Sequence, residues 1–162
     1  MADDLQGRTF EHEAKYLNAR VGMNSRLDTL QAAILLEKLA VFAEEIALRQ
    51  TVANRYAEGL NGSVLQVPPV IDGGVSVWAQ YVIEHQNRDG LAAHLRSQGV
   101  PTAVYYPVPM HQQQPYAHFP QGAGGLPVTE AKAATVLALP MHPYLDEATQ
   151  DVIVGAIRGY NG

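Results

Sequence analysis

The sequence contains no cysteine, so disulfides, thiolate metal ligands and cysteine nucleophiles are excluded from these 162 residues. It has no run of Lys or Arg, and its formal net charge is −5, so the basic patch typical of nucleic-acid-binding proteins is missing. No apolar run approaches the roughly 20 residues that a membrane helix requires. The polar, acidic N-terminus has no signal-peptide pattern, and together with the missing cysteine it favours a cytoplasmic protein. We therefore expect neither nucleic-acid nor membrane partners.

Several catalytic patterns are missing as well. The sequence has no G-x-S-x-G, no H-E-x-x-H and no Gly-rich phosphate loop of either common type, which argues against hydrolytic chemistry. His111 and His118 stand on one loop, but no third ligand follows at a regular spacing. We therefore predict no metal site.

The composition that is present, 47% hydrophobic and 17% charged, is that of a globular domain, and the first half of the chain has a helical pattern. Asp28 followed by Gln31 forms a capping box, which predicts a helix start there. The apolar residues that follow are spaced three or four apart: Leu35, Leu39, Phe42, Ile46, then Val52, Ala53, Tyr56 and Leu60. Because Asn61 and Gly62 supply a stop, we predict that residues 28–62 form a helical arm. The arm is either one very long helix or, the alternative we favour, two helices with a bend at residues 43–45.

Beyond Gly62 the pattern changes to short strands alternating with helices. We predict strands in "SVLQVPP", "SVWAQYVIEH" and "PTAVYYPV", a short helix in "NRDGLAAHLRSQG", and two closing helices. The first closing helix runs from an N-cap at Thr129 through residue 137, and the second from an N-cap at Asp146 to about residue 157. The fold class is therefore α/β, or α+β, a small sheet of about three strands covered by helices. The predicted organisation is a leader and connecting loop (1–27), the helical arm (28–62) and a small C-terminal domain (63–162).

The segment "GMNSR" is the first candidate site. Gly22 permits close backbone approach, Asn24 offers amide donors, and Arg26 offers a planar fork suited to a carboxylate or phosphate. The same residues also suit a turn followed by a surface ion pair, and spacing alone leaves both interpretations open.

The loop "VYYPVPMHQQQPYAHF" is the second candidate. Its prolines stiffen an extended segment, and Tyr105, Tyr106, His111 and the glutamines supply the donors and acceptors of a polar ligand pocket, as for a sugar. The alternative is a surface loop whose tyrosines lean on the core.

Taken together, "GMNSRLDTLQAAILLEKL", "RQTVANRYAEGL", "VSVWAQYVI", "VYYPVPMHQQQPY" and "LPVTEAKAATVLALPMHPYL" resemble, in order, the DegT/DnrJ/EryC1/StrS family of pyridoxal-phosphate sugar aminotransferases. The similarity extends from about residue 15 to the end. The sequence of the first segment is most similar to the branch of the family that acts on nucleotide-linked 3-keto sugars, including UDP-linked keto-uronates. The resemblance implies the small C-terminal domain of the aspartate-aminotransferase-type fold, with a mainly antiparallel sheet, preceded by the helical arm. It also implies a homodimer whose active sites lie between subunits.

The resemblance assigns roles to four residues. Asn24 matches the asparagine that reaches the cofactor phosphate of the neighbouring subunit, and Arg26 matches the position that approaches the substrate carboxylate in the keto-uronate branch. His111 matches a loop histidine near the substrate, and Tyr106 is a further substrate-side residue.

The lysines depart from the family pattern. Transamination with pyridoxal 5'-phosphate requires a lysine amine for the Schiff base, and the lysines here, Lys15, Lys38 and Lys132, do not stand in the family's lysine context. We therefore assign no catalytic residue and expect this chain alone neither to transaminate nor to bind the cofactor tightly. The resulting hypothesis is the C-terminal part of a nucleotide-sugar aminotransferase for cell-surface polysaccharide or related amino-sugar biosynthesis. The alternative is a non-catalytic dimerisation or regulatory module, and both predict an exposed apolar patch and self-association.

Overall fold

The computed structural model of the chain describes residues 27–63 and 65–162. The chain divides into two units, one ending at Glu37 and the other running from Lys38 to Gly162, and the described part of the first unit begins at residue 27. The elements in chain order are α1 (Thr29–Gly59), β1 (Tyr81–Glu84), α2 (Arg88–Ser97), a 3-10 helix (Met110–Gln112), α3 (Pro127–Thr135), β2 (Val136–Leu139) and α4 (Glu147–Arg158). Within the described ranges, no helix has the length and apolar character needed to cross a membrane.

Helix α1 is one continuous helix of 31 residues, so the prediction of two helices with a bend at residues 43–45 is wrong. No Gly or Pro interrupts it before its last residue, and residues of high helix propensity such as Ala, Leu, Glu and Gln dominate, so nothing breaks the hydrogen-bond ladder. Its predicted start is confirmed, because Asp28 Oδ1 accepts a hydrogen bond from the Leu30 N–H at 2.8 Å. The reciprocal bond expected from Gln31 is not among those of the described residues.

The core of the second unit is built on the pairing of β1 with β2. The strands are antiparallel, with Tyr81 opposite Leu139 and Ile83 opposite Leu137, and all four side chains are buried. Three helices add apolar side chains to this core: Val52, Ala53, Tyr56 and Leu60 from α1 and the residue that follows its end, Leu91 and Leu95 from α2, and Ile153 and Ile157 from α4. The predicted apolar face of the second half of α1 and the small antiparallel sheet are confirmed.

Among the described residues the sheet has two strands, where the sequence predicted about three. The segments "SVLQVPP" and "PTAVYYPV" each contribute a single bridge, Gln66 to Glu84 and Ala103 to Ala138. The prolines in both segments explain the difference, since proline has no N–H to donate to a ladder.

The segment from α3 to β2 corrects the prediction of a helix over residues 129–137. α3 begins earlier, with Leu126 rather than Thr129 as its N-cap and Pro127 in its first turn, where the fixed φ of proline suits a helix. α3 ends at Thr135, and Val136–Leu139 is a strand. Its apolar residues pair with β1, and the following Pro140 disfavours the helical conformation in the residue before it.

The two remaining helices are confirmed. In α2, Asn87 Oδ1 accepts a hydrogen bond from the Gly90 N–H at 3.1 Å, and the chain leaves the helix through Gly99 at φ 77°. In α4, Asp146 Oδ1 accepts a hydrogen bond from the Thr149 N–H at 2.7 Å, as predicted for an N-cap.

Candidate functional site

The loop between the Ala103 bridge and α3 carries the candidate substrate-side residues. Pro109 has an extended backbone conformation, with φ −58° and ψ 149°, and the 3-10 helix Met110–Gln112 follows directly after it. At the end of this 3-10 helix, the Gln113 N–H donates a hydrogen bond to the Met110 carbonyl oxygen at 3.1 Å. This geometry brings the loop alongside α3.

An open groove of about 540 Å³ lies between this loop and α3, and we call it the loop–α3 groove. Its lining is Tyr105, Tyr106, Val108, Pro109, Met110 and Gln113 from the loop, and Val128, Thr129, Lys132, Ala133 and Val136 from α3 and β2. Apolar and aromatic surface dominates, and a few polar tips from tyrosine, glutamine, threonine and lysine are interspersed. Such a combination suits the ring of a sugar, whose faces are apolar and whose edges carry hydroxyl groups.

His111 joins the loop to α3. Its Nε2 atom lies 3.0 Å from Glu130 Oε1, and its side chain is only 12% exposed. An ionised carboxylate can only accept hydrogen bonds, so Nε2 carries the proton of this contact. His111 is thus a partly buried, oriented imidazole at the side of the groove.

Tyr106 is placed on the groove itself. Its side chain is 70% exposed, and its ring centroid lies 5.6 Å from that of Tyr105. Of the predicted residues, Tyr106 therefore lines the groove, and His111 lies beside it, next to the lining residue Met110. The other two, Asn24 and Arg26, lie outside the described residues.

The second loop histidine has a different environment. His118 packs against Phe119 at a ring-centroid distance of 4.3 Å. Within residues 27–63 and 65–162, no group of three or more His, Asp or Glu side chains could hold a metal ion.

The described lysines do not fit the requirements of a Schiff-base lysine for pyridoxal phosphate. Lys132 Nζ lies 2.5 Å from Glu84 Oε1 and the side chain is 51% exposed, while Lys38 is 66% exposed and lies 3.9 Å from Glu45. Both amines are exposed ammonium groups paired with acids, whereas a Schiff-base lysine is activated by desolvation or a neighbouring cation. Lys15 lies outside the described residues.

Two charged residues of α3, one lining the groove and one beside it, have no distinguishing signal in the sequence. Glu130 contacts His111, and Lys132 lines the groove while contacting Glu84. Both stand in "LPVTEAKAATVL", where a helical pattern with exposed charges looks like an ordinary solvated surface. No local spacing signals either contact, since the partners are 19 and 48 residues away in sequence.

Comparisons with known proteins support the fold and identify the family. A model of the DegT/DnrJ/EryC1/StrS aminotransferase family matches residues 4–158. The chain belongs to this family. A curated relative, the UDP-2-acetamido-2-deoxy-3-oxo-D-glucuronate aminotransferase of Pseudomonas aeruginosa, is 47% identical over 145 residues, which is 90% of this chain and 40% of that protein.

Solved structures of family members superpose on most of the chain. A DegT/DnrJ/EryC1/StrS aminotransferase from Brucella abortus is 52% identical with a TM-score of 0.85, covering 93% of this chain and 40% of that one. NtdA from Bacillus subtilis, solved with the bound cofactor PMP, is 28% identical with a TM-score of 0.70, covering 90% of this chain and 35% of that one. The chain therefore spans about 40% of the length of the curated relative it matches.

Proposed function

We propose that this chain serves as the substrate-side portion of a pyridoxal-phosphate-dependent aminotransferase that transfers an amino group to a nucleotide-linked keto sugar. The observation that carries the proposal is the 47% identity to the Pseudomonas aeruginosa aminotransferase over 90% of this chain. The loop–α3 groove supports it, because its apolar walls and polar tips suit a sugar. The reaction would serve polysaccharide or other amino-sugar synthesis in the cytoplasm.

The proposed substrate class is a UDP-linked keto-uronate. Arg26 would contact the substrate carboxylate, since a guanidinium binds carboxylates through two parallel hydrogen bonds. His111 and Tyr106 would contact the sugar from the groove, and Asn24 would contact the cofactor phosphate of a neighbouring subunit in a homodimer. The name of the Pseudomonas aeruginosa relative, a UDP-2-acetamido-2-deoxy-3-oxo-D-glucuronate aminotransferase, supports this substrate class.

The proposed Schiff-base lysine lies outside these 162 residues. Pyridoxal phosphate, when bound, supplies the electron sink for amino transfer. Lys38 and Lys132 are exposed and paired with acids, which argues against either of them as the lysine that anchors the cofactor.

Two measurements test this function. The first is titration of the isotope-labelled chain with UDP-2-acetamido-2-deoxy-D-glucuronate, with NMR shifts expected in residues 105–113 and in α3. No shift at millimolar probe would refute the substrate-side role. In the second, the chain is incubated with pyridoxal phosphate, reduced with borohydride and mapped by mass spectrometry. Weak, scattered labelling of Lys15, Lys38 and Lys132 is expected, and stoichiometric labelling of one of them would contradict the assignment.

A second candidate function is a non-catalytic assembly module, and exposed apolar side chains on α1 favour it. In the described part of the first unit these are Leu30, Ile34, Leu35 and Leu36, each at least 54% exposed. In the second unit, Leu39 is 67% and Phe42 54% exposed. The predicted exposed apolar surface is therefore present, whereas self-association stays a prediction. Sedimentation velocity across a wide concentration range tests it. A cleanly monomeric chain at high concentration would count against assembly, and Leu39→Gln with Phe42→Gln should reduce any association observed.

A further inference from the structure

Glu130 and His111 form a contact that connects both walls of the loop–α3 groove. His111 stands on the 3-10 helix, whose Met110 lines the loop wall, and Glu130 stands on α3 between the wall residues Thr129 and Lys132. The Nε2 to Oε1 distance is 3.0 Å, and the imidazole is the less exposed partner, 12% against 48% for the carboxylate. The orientation of the imidazole therefore depends on Glu130.

The position of Glu130 on α3 suits its contact with His111. It lies in the first turn of α3, where the helix dipole favours negative charge. The nearest lysine along the helix, Lys132, donates to Glu84 instead. The carboxylate of Glu130 is therefore directed to the histidine.

The contact determines which nitrogen of His111 can meet a ligand. Since Nε2 carries the proton shared with Glu130, the neutral imidazole leaves Nδ1 as a lone-pair acceptor. In the described part of the chain, Nδ1 makes no hydrogen bond to protein. Nδ1 is therefore left to accept a hydrogen bond from a ligand hydroxyl beside the loop–α3 groove, whose lining includes the neighbouring Met110.

We propose that Glu130 is a positioning residue that holds His111 in the Nε2–H tautomer, so that Nδ1 accepts a hydrogen bond from a hydroxyl group of the bound sugar. This inference rests on the proposed function, because it uses His111 as a substrate-side residue. Glu130 itself need not touch the sugar.

The test combines the tautomer of His111 with binding of a defined probe. Long-range proton–nitrogen NMR of the full 162-residue chain at mildly alkaline pH distinguishes a protonated from an unprotonated Nδ1. The probe is UDP-2-acetamido-2-deoxy-D-glucuronate, titrated into wild type, Glu130→Ala and Glu130→Gln. Glu58→Ala is the matched control, since Glu58 is an exposed glutamate on α1 outside the groove lining.

In the wild type, the Nδ1 signal should be that of an unprotonated nitrogen, and its chemical shift should change when the probe binds. A His111–Glu130 pair with a purely structural role would not produce this change. In Glu130→Ala the two tautomers should mix and the Kd should rise about five-fold, the fold-change expected from one hydrogen bond. Glu130→Gln keeps an acceptor oxygen at the same reach, so its Kd should stay within about two-fold of wild type. The control should match wild type.

The failures are distinguishable. If the wild type does not bind the probe, the proposed function and this inference both fail. Three results would overturn only the inference while the probe still binds. They are a protonated Nδ1 in the wild type, an Nδ1 resonance that does not shift on probe binding, and an equal Kd in wild type and Glu130→Ala. Should Glu130→Ala fail to fold, the wild-type Nδ1 response still decides the question.

Discussion

The hydroxyl of Tyr56 donates a hydrogen bond to the carbonyl oxygen of Pro140 at 2.9 Å, which joins α1 to the residue that follows β2. Tyr56 is fully buried. Its pKa is raised above the ordinary range, mainly by this burial and to a smaller extent by the neighbouring Tyr81. Tyr56→Phe leaves the carbonyl oxygen without this donor, which should lower the free energy of unfolding by about 1–2 kcal/mol. Urea denaturation followed by the fluorescence of Trp78 measures it.

The control for this prediction is Tyr116→Phe, which removes a hydroxyl from a side chain that is 41% exposed. Water can replace any bond lost there, so its unfolding curve should overlay that of wild type. Equal stability of Tyr56→Phe and wild type would mean that the buried hydroxyl contributes nothing.

The buried Tyr81 should lower the free energy of unfolding at alkaline pH. Burial raises the pKa of Tyr81 to about 12, from an ordinary value of 10.0. The unfolded chain therefore loses this proton at lower pH than the folded chain, so stability is complete below pH 10 and falls as the pH rises towards 12. Between pH 9 and pH 11, the free energy of unfolding should drop by about 1 kcal/mol more in wild type than in Tyr81→Phe. Urea titrations at pH 7, 9 and 11 measure the slope, and identical slopes in both proteins would contradict the prediction.

Two helical glycines should respond in opposite directions to substitution by alanine. A Cβ atom at Gly90 would meet the Tyr160 hydroxyl and the Asn87 side chain, the latter at 2.6–2.7 Å. These two side chains are hydrogen-bonded to each other at 2.8 Å, and Asn87 also caps α2. Gly90→Ala should therefore cost about 1 kcal/mol of stability through loss of the cap.

Gly155 in α4 provides the matched comparison, because a Cβ built there would have no atom within 4 Å apart from its chain neighbours and the backbone of its own helix. Gly155→Ala should raise the free energy of unfolding by about 0.5–1 kcal/mol, since alanine loses less backbone entropy in a helix. Thermal or urea unfolding of the two variants is the measurement. A stabilised Gly90→Ala would show that Asn87 and Tyr160 move aside without loss.

Local signals explain which elements could be predicted. The starts of α2 and α4 are set by N-cap residues that bond to an N–H within the same helical turn, so they can be predicted from neighbouring residues. The buried face of α1 can be predicted from the helical period of its apolar residues. The strand Val136–Leu139 could not be distinguished from the end of α3, because four apolar residues are too short to show a period. Its identity depends on pairing with Tyr81–Glu84, which is a tertiary contact.

The candidate site was predictable only in part, for the same reason. The sequence predicts Tyr106 and His111 on one loop, and in the structure Tyr106 lines the loop–α3 groove while His111 contacts Glu130 beside it. Glu130 belongs to a separate helix, and only the return of the chain brings it to His111. Residue type and spacing can therefore indicate a candidate loop, but not the side chain from another element that contacts it.

The N-cap of α4 gives a prediction at acidic pH. Asp146 accepts hydrogen bonds from the Thr149 N–H at 2.7 Å and from the Thr149 hydroxyl at 3.0 Å. The backbone bond first, and then the side-chain bond, lower the pKa of Asp146 below its ordinary value of 3.8. The unfolded chain therefore takes up this proton first, and the stabilisation is present above pH 3.8 and lost as the pH falls through the folded pKa.

Asp146→Ala should consequently be less stable than wild type from pH 5 to 7, and the difference should shrink as the pH falls below the ordinary carboxyl value. Asp146→Asn is the matched variant, because asparagine is also a preferred N-cap and does not titrate, so its advantage over alanine should persist into acid. Urea midpoints at pH 7, 5, 4 and 3 for the three proteins provide the comparison. A gap between wild type and Asp146→Ala that stays constant down to pH 3 would show that the charge of Asp146 adds nothing to the cap.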